Sequence, residues 1–211
     1  MQLQWFGLSC VKISAQASEV TVFVDPFDPS TGVRLSKQSA DLVLVSTDLP
    51  EYSFVETVRS GEDKAPFFIS TPGEYEAKGV FVYGVSVLQE PRLVAYAIHI
   101  DDVSLACLGP LNRTLTVTEL DELGQIDILL VPVGGHGVLD AKKAVEVCKQ
   151  IEPRVVIPIH YQVAGFKKQL DPVGHFLKEY GAPAVEGVDK VKFMKKDLPA
   201  DETKVVILDA R

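Results

Sequence analysis

The side chains able to move protons or hold metal ions are few in this chain: His99, His136, His160 and His175, with Cys10, Cys107 and Cys148. His160 closes the apolar run Val155-Val156-Ile157-Pro158-Ile159, a strand end of the kind on which loops build sites. It reads either as a neutral, hydrogen-bonded side chain or as a general base. His136 follows Gly134-Gly135 and reads as a solvated loop residue or as a partner of His160. Cys107 also ends a strand, and with His160 it would make a nucleophile and base, although a buried strand cysteine is the commoner state. A mononuclear metal site from Glu51, Cys107, His136 and His160 would need all four to converge tetrahedrally. Asp25 precedes Pro26 and reads as a cap for the turn up to Pro29. Asp48 and Glu51 flank Pro50 at the start of a predicted helix with Phe54, Val55 and Val58 inward, where carboxylates favour the dipole. His99 and His175 read as surface residues.

The elements that must position these groups change character along the chain. The first half reads as strands: Val20–Val24, Leu42–Val45, Pro66–Ser70, Val80–Tyr83, Leu93–Ile100 and Val103–Leu108, each bounded by Gly, Pro or charge. The second half alternates. The strand Ile128–Val133 is followed by a helix capped at Asp140, with Ala144, Val147, Cys148 and Ile151 at helical spacing, ended by Pro153. The strand Val155–Ile159 follows, then a helix with Asp171 as N-cap, Pro172 at its first position and Gly181 at its end. Val191–Phe193 and Val205–Leu208 close the pattern. No internal repeat or linker divides residues 1–211, so a single domain is expected.

Composition narrows the function classes. Lys plus Arg is 21 and Asp plus Glu is 29, a net charge of −8. That balance gives no field that attracts polyanions, so nucleic-acid partners are not expected. The cysteines show neither a CxxC nor a repeated spacing, which argues against a disulfide framework or a zinc ribbon. No leader and no apolar run of spanning length is visible, so no membrane role is expected and a cytoplasmic location is the default.

Several phrases occur in an order that resembles the metallo-β-lactamase-fold superfamily, and within it a small bacterial branch of Zn-dependent hydrolase-like, lactonase-like proteins. They are Leu3-Gln4-Trp5-Phe6-Gly7-Leu8-Ser9-Cys10, Val24-Asp25-Pro26-Phe27, Ala40-Asp41-Leu42-Val43-Leu44-Val45-Ser46, Pro72-Gly73-Glu74-Tyr75-Glu76, Val131-Pro132-Val133-Gly134-Gly135 and Pro158-Ile159-His160-Tyr161. The resemblance implies an α/β fold, a four-layer αβ/βα sandwich of two mixed β-sheets face to face with outer helices. It also implies a His-x-His-x-Asp-His segment holding one or two metal ions. Here Thr47, Leu49 and Tyr52 stand at the three histidine positions and Glu51 at the aspartate position, beside Asp48. Leu8 stands within Gly7-Leu8-Ser9 where the branch has Gly-His-Ser, and Pro110 stands where a bridging aspartate is expected. Of the ligand positions only His160 matches.

On this reading the metal motifs are degenerate: zinc is lost, no cofactor is retained and no metal ligands remain. The expectation is a pseudoenzyme that binds or scaffolds, through a vestigial cleft of Asp25, Thr47, Asp48, Leu49, Glu51, Tyr52, Cys107, Pro110, His136 and His160. Its partner would be a protein or small molecule, and a homodimer is compatible. The alternative is a hydrolase of a small phosphate or lactone-like metabolite, working from a rearranged or metal-independent site around His160.

Overall fold

The computed structural model describes residues 1–61 and 65–211. Its first seven strands are β1 (Gln2–Gly7), β2 (Cys10–Ser14), β3 (Thr21–Val24), β4 (Gln38–Ser39), β5 (Leu42–Leu44), β6 (Val58–Arg59) and β7 (Phe67–Ile69). Then come β8 (Gly73–Ala77), β9 (Val80–Val87), β10 (Leu93–Ile100), β11 (Val103–Cys107), α1 (Val117–Leu123), β12 (Ile128–Pro132), α2 (Ala141–Ile151), β13 (Val155–Ile159), α3 (Val173–Tyr180), β14 (Val191–Lys192) and β15 (Lys204–Val205).

Two mixed sheets result. One has the order β14-β1-β2-β3-β5-β7, antiparallel as far as β3 and parallel through β5 and β7. The other has the order β15-β13-β12-β11-β10-β9-β8, parallel from β15 to β11 and antiparallel beyond. This is the α/β architecture of two mixed sheets that the resemblance implies.

Alternation along the first sheet divides its side chains between two cores. Leu3, Trp5, Val22, Val24, Leu42 and Leu44 face the second sheet. Phe6, Phe23 and Val43 point the other way, into a smaller core closed by Phe27, Tyr52 and Val58 from the segments that cover this face. The helices lie on the second sheet, α1 against β9 and α2 against β12 and α3.

Three local expectations change. Residues 50–58 form no α-helix: Tyr52 N bonds Leu49 O in a turn, Val55–Thr57 is a single 3-10 turn, and Val58 enters β6. Val55, Thr57 and Val58 are β-branched, and the segment gains more by pairing and burying Val58 than by a short helix. The α3 N-cap is Pro172, one residue later than expected. Finally, α1 escapes the apolar-periodicity reading but carries a capping box, with Thr116 Oγ1 accepting from Glu119 N and the Glu119 carboxylate from Thr116 N. Glu119 is also gripped by Arg113, and its carboxyl is held down to about 2; burial opposes this shift, but the Arg113 and Thr116 hydrogen bonds outweigh it.

The sheets are bolted at one end by polar groups. Tyr96 of β10 donates its hydroxyl to Val45 O at 2.7 Å, and Val94 N donates to Ser46 O at 2.8 Å. Replacing Tyr96 by Phe removes the buried donor without changing the ring. A loss of about 1–2 kcal/mol in urea unfolding free energy is expected, and an unchanged midpoint would show that the bolt does not contribute.

Candidate functional site

The C-terminal ends of β3, β5 and β13 and the β1–β2 turn converge on a buried polar cluster. β13 delivers His160, whose backbone is left-handed at φ +55° and whose N–H bonds Leu8 O at 3.1 Å. A Cβ on Gly134 would stand 2.2 Å from His160 O, so only glycine lets the loop after β12 pass there. The β1–β2 turn delivers Ser9, whose Oγ lies 3.0 Å from His160 Nδ1. The Tyr52 ring lies 5.8 Å from the imidazole, centroid to centroid. His160 is 0% exposed, and its Nε2 has no hydrogen-bond partner among the described residues. Burial pushes its pKa from 6.5 down to about 3, with Lys168 adding to the shift, so the imidazole is neutral.

Asp25, at the end of β3, is the second anchor. It is 1% exposed and left-handed at φ +48°. Its Oδ1 accepts from Ser46 N at 2.7 Å and its Oδ2 from Ser46 Oγ at 2.8 Å. Burial raises the carboxyl to about 7, against the lowering effect of the two Ser46 bonds. The turn-capping role expected for Asp25 falls instead to Asp28, whose carboxylate accepts from Ser30 N.

The remaining predicted residues separate into buried and exposed groups. Thr47, Tyr52, Cys107 and Pro110 are buried, whereas Asp48, Leu49 and His136 are exposed and Glu51 is half-buried. Asp48 and Glu51 cap no helix, because none starts there. Burial, and then the Asp25 charge, push the Cys107 thiol well up, so no thiolate is available for a Cys–His dyad. His136 turns outward to Asp171, 3.8 Å away, which His175 approaches at 3.7 Å, so His136 does not pair with His160. His99 is exposed and meets the Tyr83 ring edge-on. The residue missed from the sequence is Ser9. Its signal was the Gly7-Leu8-Ser9 turn, read only for the histidine it lacks.

The two buried groups act oppositely on stability. Native Asp25 keeps its proton up to about pH 7, while an unfolded aspartate releases it near 3.8, so this term weakens the fold as pH rises between those values. Native His160 refuses a proton down to about 3, while an unfolded histidine takes one near 6.5, so this term weakens the fold as pH falls between those values. Each is on the order of 4 kcal/mol across its window, and between about pH 4 and 6.5 they offset. Relative to wild type, Asp25→Asn is expected to lose stability more steeply on acidification through that window. His160→Gln is expected to lose it more steeply as pH rises. Urea unfolding at stepped pH reads both slopes, and parallel curves for all three proteins would overturn the assignment.

The profile of the beta-lactamase superfamily domain matches residues 2–160. A UPF0173 protein of Pyrococcus abyssi is 42% identical, over 81% of this chain and 90% of the relative. A UPF0173 metal-dependent hydrolase of Thermococcus onnurineus is 36% identical, over 66% of this chain and 76% of the relative. The crystal structure of a Thermotoga maritima protein, assigned as a Zn-dependent hydrolase of the metallo-beta-lactamase superfamily, aligns with TM-score 0.79 and 29% identity over 100% of this chain and 99% of that one. These relatives overturn two expectations drawn from the altered motif, a non-enzymatic binding protein and the absence of a metal cofactor: proteins this similar carry the names of metal-dependent hydrolases. His160 Nε2 is a free nitrogen, but both Asp25 oxygens are engaged by Ser46, and no three His, Cys, Asp or Glu side chains among the described residues are placed to hold an ion. The residues present therefore do not fit the metal those names imply, and no chemical step is routed through one. By fold, by profile and by its Pyrococcus relative, this chain belongs to the beta-lactamase superfamily domain family.

Proposed function

We propose that the chain is a hydrolase of a small phosphate or lactone-like metabolite and that His160, oriented by Ser9, carries its proton transfer. The observation that supports this is the Nε2 atom of His160, neutral and without a partner, on a ring whose other nitrogen is held by Ser9. With Nδ1–H donating to Ser9 Oγ, Nε2 keeps its lone pair. A water meeting it passes a proton to Nε2 as its oxygen bonds to the carbonyl carbon or phosphorus. The bond to the leaving oxygen then breaks, and that oxygen takes the proton from Nε2. The Tyr52 ring packs beside the imidazole, 5.8 Å from centroid to centroid. The hydrolase names of the relatives support the same class of reaction.

The test is a panel of ester, lactone and phosphate-ester substrates, assayed as purified, with added Zn or Mn, and with chelator. Hydrolysis of at least one substrate is expected. His160→Ala should lower kcat/KM by about a hundredfold or more, and Ser9→Ala should lower it by less. The acid limb of kcat/KM should lie well below the ordinary imidazole value. No turnover on the panel, or full activity in His160→Ala, would overturn the reading.

A further inference from the structure

The outer face of the first sheet carries a cationic hollow that the His160 chemistry does not use. Gln4 of β1 and Lys12 of β2 are cross-strand partners and line it. Arg34 and Gln38 enter from the segment after β3, and Arg211 is held to β1 by its N–H on Trp5 O at 3.1 Å. The hollow has a volume of about 450 Å³, and Val33 and Leu35 line its apolar part.

The charge arrangement is unusual for a chain of net charge −8. Among the described residues, Lys12, Arg34 and Arg211 each lack a carboxylate within ion-pair distance. Glu56 lines the neighbouring hollow with Arg34 and pairs with neither Arg34 nor Lys37. Lys12 is half-buried, and its pKa is lowered by burial and by the charge of Arg211. Gathering cations beside an apolar floor costs free energy that a bound dianion would offset, and guanidinium groups suit a phosphate because they can bond two of its oxygens at once.

We propose that this hollow binds a small organic phosphate, with Lys12, Arg34 and Arg211 on the phosphate and the organic part over Val33 and Leu35. The site shares no residue with the Ser9–His160 pair and is independent of the hydrolase reading.

Calorimetric titration of the full chain tests it with phenylphosphonate, which hydrolysis cannot consume, alongside inorganic phosphate and benzoate. Phenylphosphonate is expected to bind more tightly than either and to weaken with added salt. Arg34→Gln, Arg211→Gln and Lys12→Met should each weaken it by about tenfold, with circular dichroism confirming the fold. His160→Ala should leave the affinity unchanged. No binding at about 10 mM, equal binding of benzoate, unchanged affinity in the three cation variants, or loss of binding in His160→Ala would each overturn the site.

Discussion

The two bonds from Ser46 to the buried carboxyl of Asp25 fix the corner of the first sheet from which it is tied to the second. Ser46 follows β5, Asp25 follows β3, and the carbonyl of Ser46 accepts from Val94 on the second sheet. One residue therefore joins two neighbouring strands to each other and to the opposing layer. An ionised carboxylate in this position would be poorly solvated, and two hydrogen bonds reduce that cost without removing it. Hence the carboxyl titrates near neutrality. Its charge also pushes up the neighbouring groups: the Cys10 and Cys107 thiols and the Tyr96 hydroxyl are raised mainly by burial and further by Asp25, and the Tyr52 hydroxyl by burial, then Glu51, then Asp25. The end of the sandwich is a region of protonated, hydrogen-bonding groups, and the thiols there are packing residues.

Where one residue type in one register decided the outcome, the sequence was readable. The apolar runs of β10 and β13 came out with their full extents, and Asp140 caps α2 by accepting from Lys143 N. The cap of α1 was equally legible, since Thr116-x-x-Glu119 is a helix-start signature, but its apolar stripe is too thin for periodicity to find. The stretch after Pro50 misled because a proline and nearby carboxylates mark a helix start only when a helix follows, and this segment's β-branched residues turned to pairing instead.

The site was legible only in part. His160 was singled out from its place at a strand end, and it is the group left with a free atom. Its partner Ser9 lies 151 residues away in sequence, and Asp25 and Ser46 are separated by 21. No local pattern encodes such pairings; they follow from the strand orders and stacking of the two sheets, which bring β1, β3 and β5 of one and β13 of the other to one end. The motif comparison identified the family correctly and failed on function, because it weighed ligand types one by one. A chain can lack the residues that mark a chemistry and still resemble relatives at 36–42% identity, one of which carries a hydrolase name.

His160 combines a left-handed backbone with a buried nitrogen that has no partner among the described residues. A left-handed non-glycine residue costs on the order of 1 kcal/mol, and a buried polar atom without a partner about 1–3 kcal/mol more. Both costs fall on this one residue, which is further fixed by Leu8 O and by the glycine at 134 that makes room for its carbonyl. Packing alone would be served better by an apolar side chain, which leaves no nitrogen to satisfy. The fold instead holds a neutral imidazole with one nitrogen against Ser9 Oγ and the other without a partner among the described residues.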